Sequence, residues 1–391
     1  MRQKVLFISS RQIFPIVGGD QIRTAQQLNY LSQKYDVDVV YQLIGNEDVK
    51  IRQFVPSVRK EVPFKMSKFK YYLQTLRFIF NKLPLQVNYY LNKSMKRYVD
   101  SCIKNYDIVF CNNIRTAEYA IEATNIIKVI DYVDAISMNY EKAKVRASGV
   151  KKIIYAIDYN RCKKYEQAVL RNFDKCATIS EVDRDYILRN NHDKKISVVG
   201  NKVDLPAKAC TCKHDVSDTL VFVGKMNYDP NVVAVTSFVD KIMPKLLVKH
   251  PHLKFKIVGA HPDNRVRQLE SENVHVVGFV DSLEPFFQGA TIVVAPMLTG
   301  AGIQNKILQA MSYGCCVVTT PIGAEGLIIK HNEIGVFSNA DEMAEGINSL
   351  LGDRKKRVEM GDSARQYIIE NMSDRNIAEQ FWAFMGAYSG R

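Results

Sequence analysis

Residues 295–311, with the sequence APMLTGAGIQNKILQAM, decide the predicted fold. They predict a buried strand ending at Ala295, a loop containing Gly300 and Gly302, and then a helix. Backbone N–H groups at such a helix start bind anions, and the helix dipole strengthens the interaction. Lys306 lies in the first turn, where a basic side chain opposes the dipole, and such a local conflict is typical of a functional site. The stretch therefore predicts a phosphate site; a plain strand–loop–helix unit is the alternative.

Alternating strand and helix patterns continue outward from this stretch in both directions. Strands are predicted at residues 4–10, 37–43, 107–111, 127–132, 175–180, 196–199, 219–224, 254–259, 274–278, 291–295 and 316–320. Helices are predicted at residues 20–34, 231–250, 305–313, 341–351, 354–371 and 374–388. This alternation favours parallel sheets covered on both faces, in an α/β protein with two doubly wound, Rossmann-like domains. Ligands bind such sheets outside the carboxyl ends of the strands, so the cleft between the domains is the expected active site.

The domain boundary is predicted at a polar segment. Residues 1–203 form the first predicted domain, 204–218 a linker, 219–371 the second domain, and 372–391 a terminal helical segment. The linker contains Cys210, Cys212 and His214, which offer only three metal ligands. We interpret the cluster as incidental and expect no metal site there.

The bulk composition is that of a globular protein. The chain has 391 residues, of which 47% are hydrophobic and 24% charged. No apolar run approaches the ~20 residues that span a bilayer, and the segment 5–9 is too short for a signal peptide. We expect a cytoplasmic location, either free in the cytoplasm or attached peripherally to the inner face of the membrane.

The formal net charge of +13 is concentrated in the N-terminal half. Residues 59–104 contain eleven Lys and Arg against two acids, with aromatic residues interleaved, and residues 142–175 contain ten against three. A basic, aromatic surface suits nucleic acid or an anionic membrane. Because the chain has no nucleic-acid-binding motif, we favour lipid headgroups or a pyrophosphate-bearing acceptor over nucleic acid. Solvated helix faces are the alternative.

Three further stretches are candidates for binding or catalysis. Gly18 and Gly19 stand at the mouth of the first predicted helix, where glycine lets a backbone approach an anion. Lys225 follows a strand directly and could neutralise a phosphate; an ordinary loop lysine is the alternative. Asp131 and Asp134 follow another strand, where a carboxylate could contact a sugar hydroxyl, act as a base or cap the following segment.

These stretches together resemble glycosyltransferase family 4, and within it a bacterial sugar-transferase subgroup. The resemblance extends from about residue 5 to residue 351 and is more specific in the C-terminal half. It is carried by residues 18–23 (GGDQIR), 222–231 (FVGKMNYDPN), 257–259 (IVG), 277–280 (VGFV), 302–306 (GIQNK) and 321–327 (PIGAEGL).

The resemblance implies a GT-B fold with two Rossmann-like domains facing a central cleft. The N-terminal domain would bind the acceptor, the C-terminal domain would bind a UDP- or GDP-linked sugar, and residues 372–391 would cross back to the first domain. The implied reaction is transfer with retention at the anomeric carbon and without an obligatory metal. The expected acceptor is a glycan or a polyprenyl-linked glycan, as in surface polysaccharide or glycoconjugate synthesis.

The resemblance also implies roles for individual residues. Gly18 and Gly19 would approach the donor phosphates, and Asp131 would lie near the transferred sugar. Lys225 and Lys306 would neutralise the diphosphate. Other donor contacts are implied for the C-terminal domain: backbone donors to the diphosphate at Gly302, Ile303, Gln304 and Asn305, and backbone contacts to the base at Val277, Gly278 and Phe279.

One departure from the family pattern bears on activity. Many members carry two glutamates eight residues apart, at the positions that Ala301 and Gln309 occupy in this chain. The second glutamate accepts hydrogen bonds from the ribose, and an amide accepts them without charge assistance, a loss of roughly 1 kcal/mol. We therefore predict weakened donor binding. The alternative function is a non-catalytic GT-B partner subunit that binds or stabilises another transferase.

Overall fold

A computed structural model describes residues 2–16, 19–43, 49–189, 196–207, 218–300, 302–330 and 332–386. Gly18, Ala301 and the cluster of Cys210, Cys212 and His214 lie outside these residues. The chain divides into two compact units: residues 1–201 with 378–391 form unit 1, and residues 202–377 form unit 2. No helix in the described part of the chain combines the length and the apolar character that crossing a bilayer requires.

Unit 1 is built on a seven-stranded parallel sheet with the order β3-β2-β1-β4-β5-β6-β7. Its strands are β1 Lys4–Ser9, β2 Asp36–Leu43, β3 Lys60–Lys65, β4 Ile108–Asn112, β5 Ile127–Asp131, β6 Lys175–Thr178 and β7 Ile196–Val198. Its helices are α1 Gly19–Lys34, α2 Lys68–Thr75, α3 Leu85–Tyr90, α4 Lys93–Cys102, α5 Ile136–Arg146, α6 Gly149–Asn172 and α7 Glu181–Leu188. Short 3₁₀ helices cover Ile51–Gln53, Leu76–Ile79, Ile103–Asn105 and Ile114–Tyr119.

Unit 2 has a six-stranded parallel sheet with the order β10-β9-β8-β11-β12-β13. Its strands are β8 Thr219–Val223, β9 Lys254–Val258, β10 Val274–Gly278, β11 Ile292–Ala295, β12 Val317–Thr319 and β13 Gly335–Val336. The remaining helices are α8 Asp229–Lys241, α9 Met243–Leu247, α10 Asn264–Arg267, α11 Glu284–Gln288, α12 Asn305–Ser312, α13 Ala340–Gly352, α14 Arg354–Met372 and α15 Asp374–Met385.

The central strands are fully buried because helices cover both faces of each sheet. Every residue of β4 and β8 is buried, which accounts for their continuous apolar sequences. The prediction of two α/β domains with parallel sheets is therefore confirmed. Since all strands of a sheet run in one direction, the loops after β8, β9, β10, β11 and β12 emerge at the same edge of unit 2.

Two strands were missed by the sequence analysis, which assigned residues 60–65 to a basic surface. β3 is an edge strand in which no residue is fully buried, and Pro63 within it is tolerated only at such an edge. β13 has two residues, too few to show a period. The single helix predicted at 231–250 is wrong, because α8 ends at Lys241 and Pro244 lies in the first turn of α9.

Helix α15 connects the two units. It starts at Asp374 in unit 2, and residues 378–386 lie in unit 1. There Phe381 is fully buried, with its ring centroid 5.4 Å from that of Tyr30 and 6.2 Å from that of Phe110. Lys175 Nζ donates to the carbonyl of Met385 at 2.5 Å. The end of this helix is therefore part of the core of unit 1.

Candidate functional site

The loops after β8, β9 and β10 are joined through their backbones. Gly224 N donates to Val258 O at 3.0 Å, and Gly259 N donates to Gly278 O at 2.8 Å. A Cβ on Gly259 would lie 1.7 Å from Gly224 O and would clash with it. Glycine is therefore required here by close backbone packing, and the three loops form one rigid edge.

The loop before α12 presents backbone groups at the same edge. Gly302 adopts φ +73°, a left-handed conformation that glycine adopts without strain. The N-cap residue Gln304 does not cap the helix with its side chain; its Nε2 donates instead to Gly302 O at 3.1 Å. The first turn of α12 therefore begins with amide groups that no N-cap side chain satisfies, as an anion site requires.

Lys306 is held in a pocket of unit 2. Its Nζ donates to Asn231 Oδ1 at 2.5 Å, lies 3.4 Å from Met297 Sδ and stands 5.0 Å from the centroid of the Phe222 ring. Asn231 in turn donates through Nδ2 to Lys225 O at 2.9 Å. A chain of hydrogen bonds thus fixes the Lys306 ammonium group relative to the loop after β8.

The surroundings of Lys306 disfavour its charge. Desolvation by burial lowers the pKa of its ammonium group from 10.5 to about 8. The polar partner of this group, Asn231, is a neutral amide. A cation left without a carboxylate in a half-buried site is ready to pair with an incoming anion.

The other predicted residues of unit 2 are exposed to different degrees. The side chains of Lys225, Asn305 and Gln309 are exposed. Gln309 is four residues from Asn305 and three from Lys306, so its side chain neighbours both on the surface of α12. Phe279 is 73% exposed just beyond Gly278, whose φ of +81° ends β10.

Asn231 is a site residue that the sequence analysis did not identify. It is 4% exposed, and its Nδ2 would lie only 2.6 Å from a Cβ on Gly224. The only local signal is an asparagine in the first turn of a helix, which usually indicates capping. Its contact with Lys306 joins residues 75 positions apart, beyond the range of any local pattern.

In unit 1, Asp131 is enclosed by protein partners. Arg23 donates to it through Nε at 2.6 Å and Nη2 at 2.9 Å, and Gln27 Nε2 donates at 2.6 Å. Arg23 Nη1 also donates to Val199 O at 2.6 Å and to Asn201 Oδ1 at 3.1 Å. Both charged side chains are fully buried. Protein donors therefore occupy both carboxylate oxygens of Asp131.

Asp134 is the more accessible carboxylate of the same loop. It is half-buried, and its Oδ2 accepts from Asn139 Nδ2 at 2.6 Å. Burial, followed by the nearby Asp183, raises the pKa of its carboxyl group. Neither carboxylate caps α5, whose N-cap residue is Ala135, but Asp131 Oδ1 accepts from Val133 N at 3.1 Å and so caps the turn that follows β5. Val133 between them has φ +70°, which a β-branched residue rarely adopts outside constrained sites.

The predicted residues thus fall into two sets. Unit 2 brings Lys306, Gly302 and the segment 277–279 to the edge formed by the strand ends. In unit 1, Gly19 is the first residue of α1 and Asp131 lies at the end of β5. Within the described residues, no group of three or more His, Cys, Asp and Glu side chains is arranged to hold a metal ion.

The chain is similar to known proteins in its second unit and over its whole length. Residues 217–353 match the family described as glycosyl transferases group 1. The chain is 25% identical, over 407 residues, to an uncharacterized 44.6 kDa protein in the cps region of Klebsiella pneumoniae, and the match covers 96% of this chain and 97% of that protein.

Solved structures share the fold at low sequence identity. Sucrose-phosphate synthase from Thermosynechococcus elongatus superimposes with a TM-score of 0.73 at 15% identity, covering 98% of each chain. Anabaena HepE in complex with UDP superimposes with a TM-score of 0.66 at 12% identity, covering 98% of this chain and 100% of that one. The chain therefore has the GT-B fold. The match of residues 217–353 to the glycosyl transferases group 1 family supports glycosyl transfer as its activity.

Proposed function

We propose that the chain is a retaining glycosyltransferase that moves a sugar from UDP or GDP to a glycan or lipid-linked glycan acceptor in surface polysaccharide or glycoconjugate synthesis. The observation that carries the proposal is Lys306, a half-buried cation whose polar partner is the neutral Asn231, beside the start of α12. A cation in this setting suits the diphosphate of a nucleotide sugar.

On the donor side, charge develops on the diphosphate as the sugar leaves. Lys306, the exposed Lys225 and the backbone amides of residues 302–305 are positioned to stabilise that charge before the reaction begins. These groups supply positive charge and hydrogen-bond donors, so we expect transfer without an obligatory metal. The backbone at 277–279 would hold the base, and the complex of HepE with UDP supports uridine as a candidate.

On the acceptor side, Asp134 replaces Asp131 as the carboxylate we assign to substrate contact. Asp131 is already saturated by Arg23 and Gln27, whereas Asp134 is half-buried and accepts from Asn139. The departing phosphate would itself take the proton of the acceptor hydroxyl, and Asp134 would orient that hydroxyl. The relative in a cps region supports a role in polysaccharide synthesis, and therefore a glycan acceptor.

The proposal is tested by a thermal-shift screen of UDP- and GDP-sugars, followed by measurement of slow donor hydrolysis. A donor that binds the folded chain stabilises it by about 2.7 kcal/mol at one hundred times its Kd. Stabilisation together with hydrolysis supports the enzyme. Stabilisation without hydrolysis or transfer favours the non-catalytic partner subunit, which only Gln309 suggests, and the absence of any stabilisation contradicts a donor site.

Gln309→Glu should tighten nucleotide binding by roughly 1 kcal/mol, or about fivefold. A carboxylate accepts charge-assisted hydrogen bonds from ribose hydroxyls, which the amide of Gln309 cannot do. Because the side chain is exposed, the substitution introduces no buried charge. Titration calorimetry with the nucleoside diphosphate measures the change. Gln268→Glu, at an exposed glutamine of unit 2 outside the predicted donor residues, is the control. An unchanged Kd for Gln309→Glu contradicts the ribose assignment.

Nucleoside diphosphate binding should weaken as the pH rises through about 8. The free protein holds Lys306 with a pKa of about 8, so its ammonium group is charged at pH 7 and mostly neutral at pH 9. If only the protonated form binds the diphosphate, the affinity falls roughly tenfold over this interval. Lys306→Arg keeps the charge at both pH values and should flatten the profile. An equally steep profile in that variant would assign the titration to another group.

A further inference from the structure

The surface of unit 1 carries an apolar stripe whose side chains are exposed among the described residues. Residues 69, 72, 73 and 76 of the segment formed by α2 and the following 3₁₀ helix are spaced for one face, and Ile79 and Phe80 follow. These side chains are exposed, Phe80 to 87%, while Tyr71 on the opposite face is fully buried. A surface segment that is apolar on both faces packs one face on the protein core and offers the other to a binding partner.

A second apolar stripe lies at the turn between α5 and α6. Val145 at the end of α5 is 76% exposed and Val150 at the start of α6 is 72% exposed. Exposed isoleucines continue from Val150 along α6 at helical spacing: Ile153, Ile154 and Ile157. Tyr140 and Tyr155, with ring centroids 5.8 Å apart, pack the two helices together below this tip.

The two stripes belong to one region of unit 1. Arg161 of α6 donates through Nη1 to Phe78 O at 2.7 Å, and its guanidinium lies 3.8 Å from the Phe78 ring centroid. Leu85 N donates to Asp158 Oδ1 at 2.9 Å. The α2 stripe thus adjoins the middle of α6, roughly 16 Å along that helix from Val150.

Basic residues accompany both stripes. Between Glu61 and Asp100 the sequence contains eight Lys and Arg and no acid, and between Glu141 and Asp158 it contains five and no acid. Lys82, Lys151 and Lys152 are exposed next to the apolar side chains. The same face on a second copy of the chain would bring these positive charges together, so charge opposes self-association and favours an anionic partner.

We infer that this face docks on an anionic lipid bilayer, with Phe80 and the α5–α6 tip inserted among the headgroups and the lysines against the lipid charges. Aliphatic side chains flanked by lysines are the composition of interfacial membrane anchors. The inference extends the acceptor side of the proposed function. It rests on that function only in taking the acceptor to be lipid-linked. Of the aromatic residues in the basic surface predicted over residues 59–104, Tyr71 is buried and takes no part in this face.

Flotation of the full chain with vesicles tests the inference. We expect binding to an equal mixture of phosphatidylcholine and phosphatidylglycerol, at least about tenfold weaker binding to phosphatidylcholine alone, and release at ~1 M salt. Lys151→Glu with Lys152→Glu, and separately Phe80→Ser with Val150→Ser, should each weaken binding about tenfold or more. Val248→Ser, at a valine 83% exposed in unit 2, is the matched control and should bind like the wild type.

Two outcomes overturn the inference. Vesicle binding that is unchanged in both double variants would do so, as would a dimer in sedimentation analysis that Phe80→Ser with Val150→Ser dissociates while vesicles are ignored. Nucleotide affinity, measured on the same proteins, reports unit 2 separately. If the chain binds nucleotide but not vesicles, only the inference about membrane docking is contradicted. If it binds vesicles but not nucleotide, only the proposed transferase function is contradicted.

Discussion

Lys306→Met will lower kcat/KM for sugar transfer about 10²–10³-fold, the loss typical when one preorganised stabiliser of transition-state charge is removed. The substitution keeps an unbranched side chain in the half-buried pocket formed by Met297 and Phe222 and removes its charge. The effect should be largest on kcat, because the negative charge on the leaving diphosphate grows as the bond to the sugar breaks. Steady-state transfer kinetics with the donor identified by thermal shift measure the change.

Lys306→Arg and Lys225→Met are the comparisons for this variant. Arginine keeps the charge but replaces a compact ammonium with a planar group, so activity should return only in part. Lys225 is exposed, so its loss should raise KM more than it lowers kcat. Full activity in Lys306→Met would contradict the proposal that Lys306 at the start of α12 stabilises the leaving diphosphate. A thermal transition unchanged from the wild type shows that a loss of activity is not a loss of fold.

Asp131→Asn will destabilise unit 1 by about 3–5 kcal/mol, because it leaves the Arg23 guanidinium buried without its counter-charge. Urea denaturation should show this loss in the transition of unit 1. A double variant, Arg23→Met with Asp131→Leu, should recover much of the stability, since apolar replacements of a buried pair remove both desolvation penalties. The nucleotide affinity of unit 2 should be unchanged in the folded proteins.

Asp134→Asn is the matched variant in the same loop. Its carboxylate is half-buried and accepts one hydrogen bond from Asn139, so its loss should affect stability by less than about 1 kcal/mol. We expect it to lower kcat and leave the donor Kd unchanged. If Asp131→Asn instead folds like the wild type and is inactive, Asp131 is the catalytic carboxylate and the assignment to Asp134 fails.

Local pattern was sufficient for much of the fold and for part of the site. The buried strands of both sheets are short apolar runs, so β1, β4 and β8 were visible in the sequence. Gly302 and Lys306 were also predictable, because a strand, a glycine loop and a helix follow one another within a few residues.

Other features depend on contacts between distant segments. Arg23 and Asp131 are 108 positions apart, so the sequence around Asp131 does not indicate its buried ion pair. Asn231 reaches Lys306 across 75 positions, and nothing in its own segment distinguishes it from a capping residue. Edge strand β3 has a mixed sequence because it stands at the end of the sheet formed by the described strands.

The path of α15 has a consequence for the order of folding. Residues 378–386 supply Phe381 to the core of unit 1, yet the ribosome makes them only after all of unit 2. Unit 2 is a continuous segment and can fold as soon as it emerges. Unit 1 is the first unit to be synthesised and the last to be completed. Its core next to Tyr30 and Phe110 therefore stays uncovered until α15 has left the ribosome.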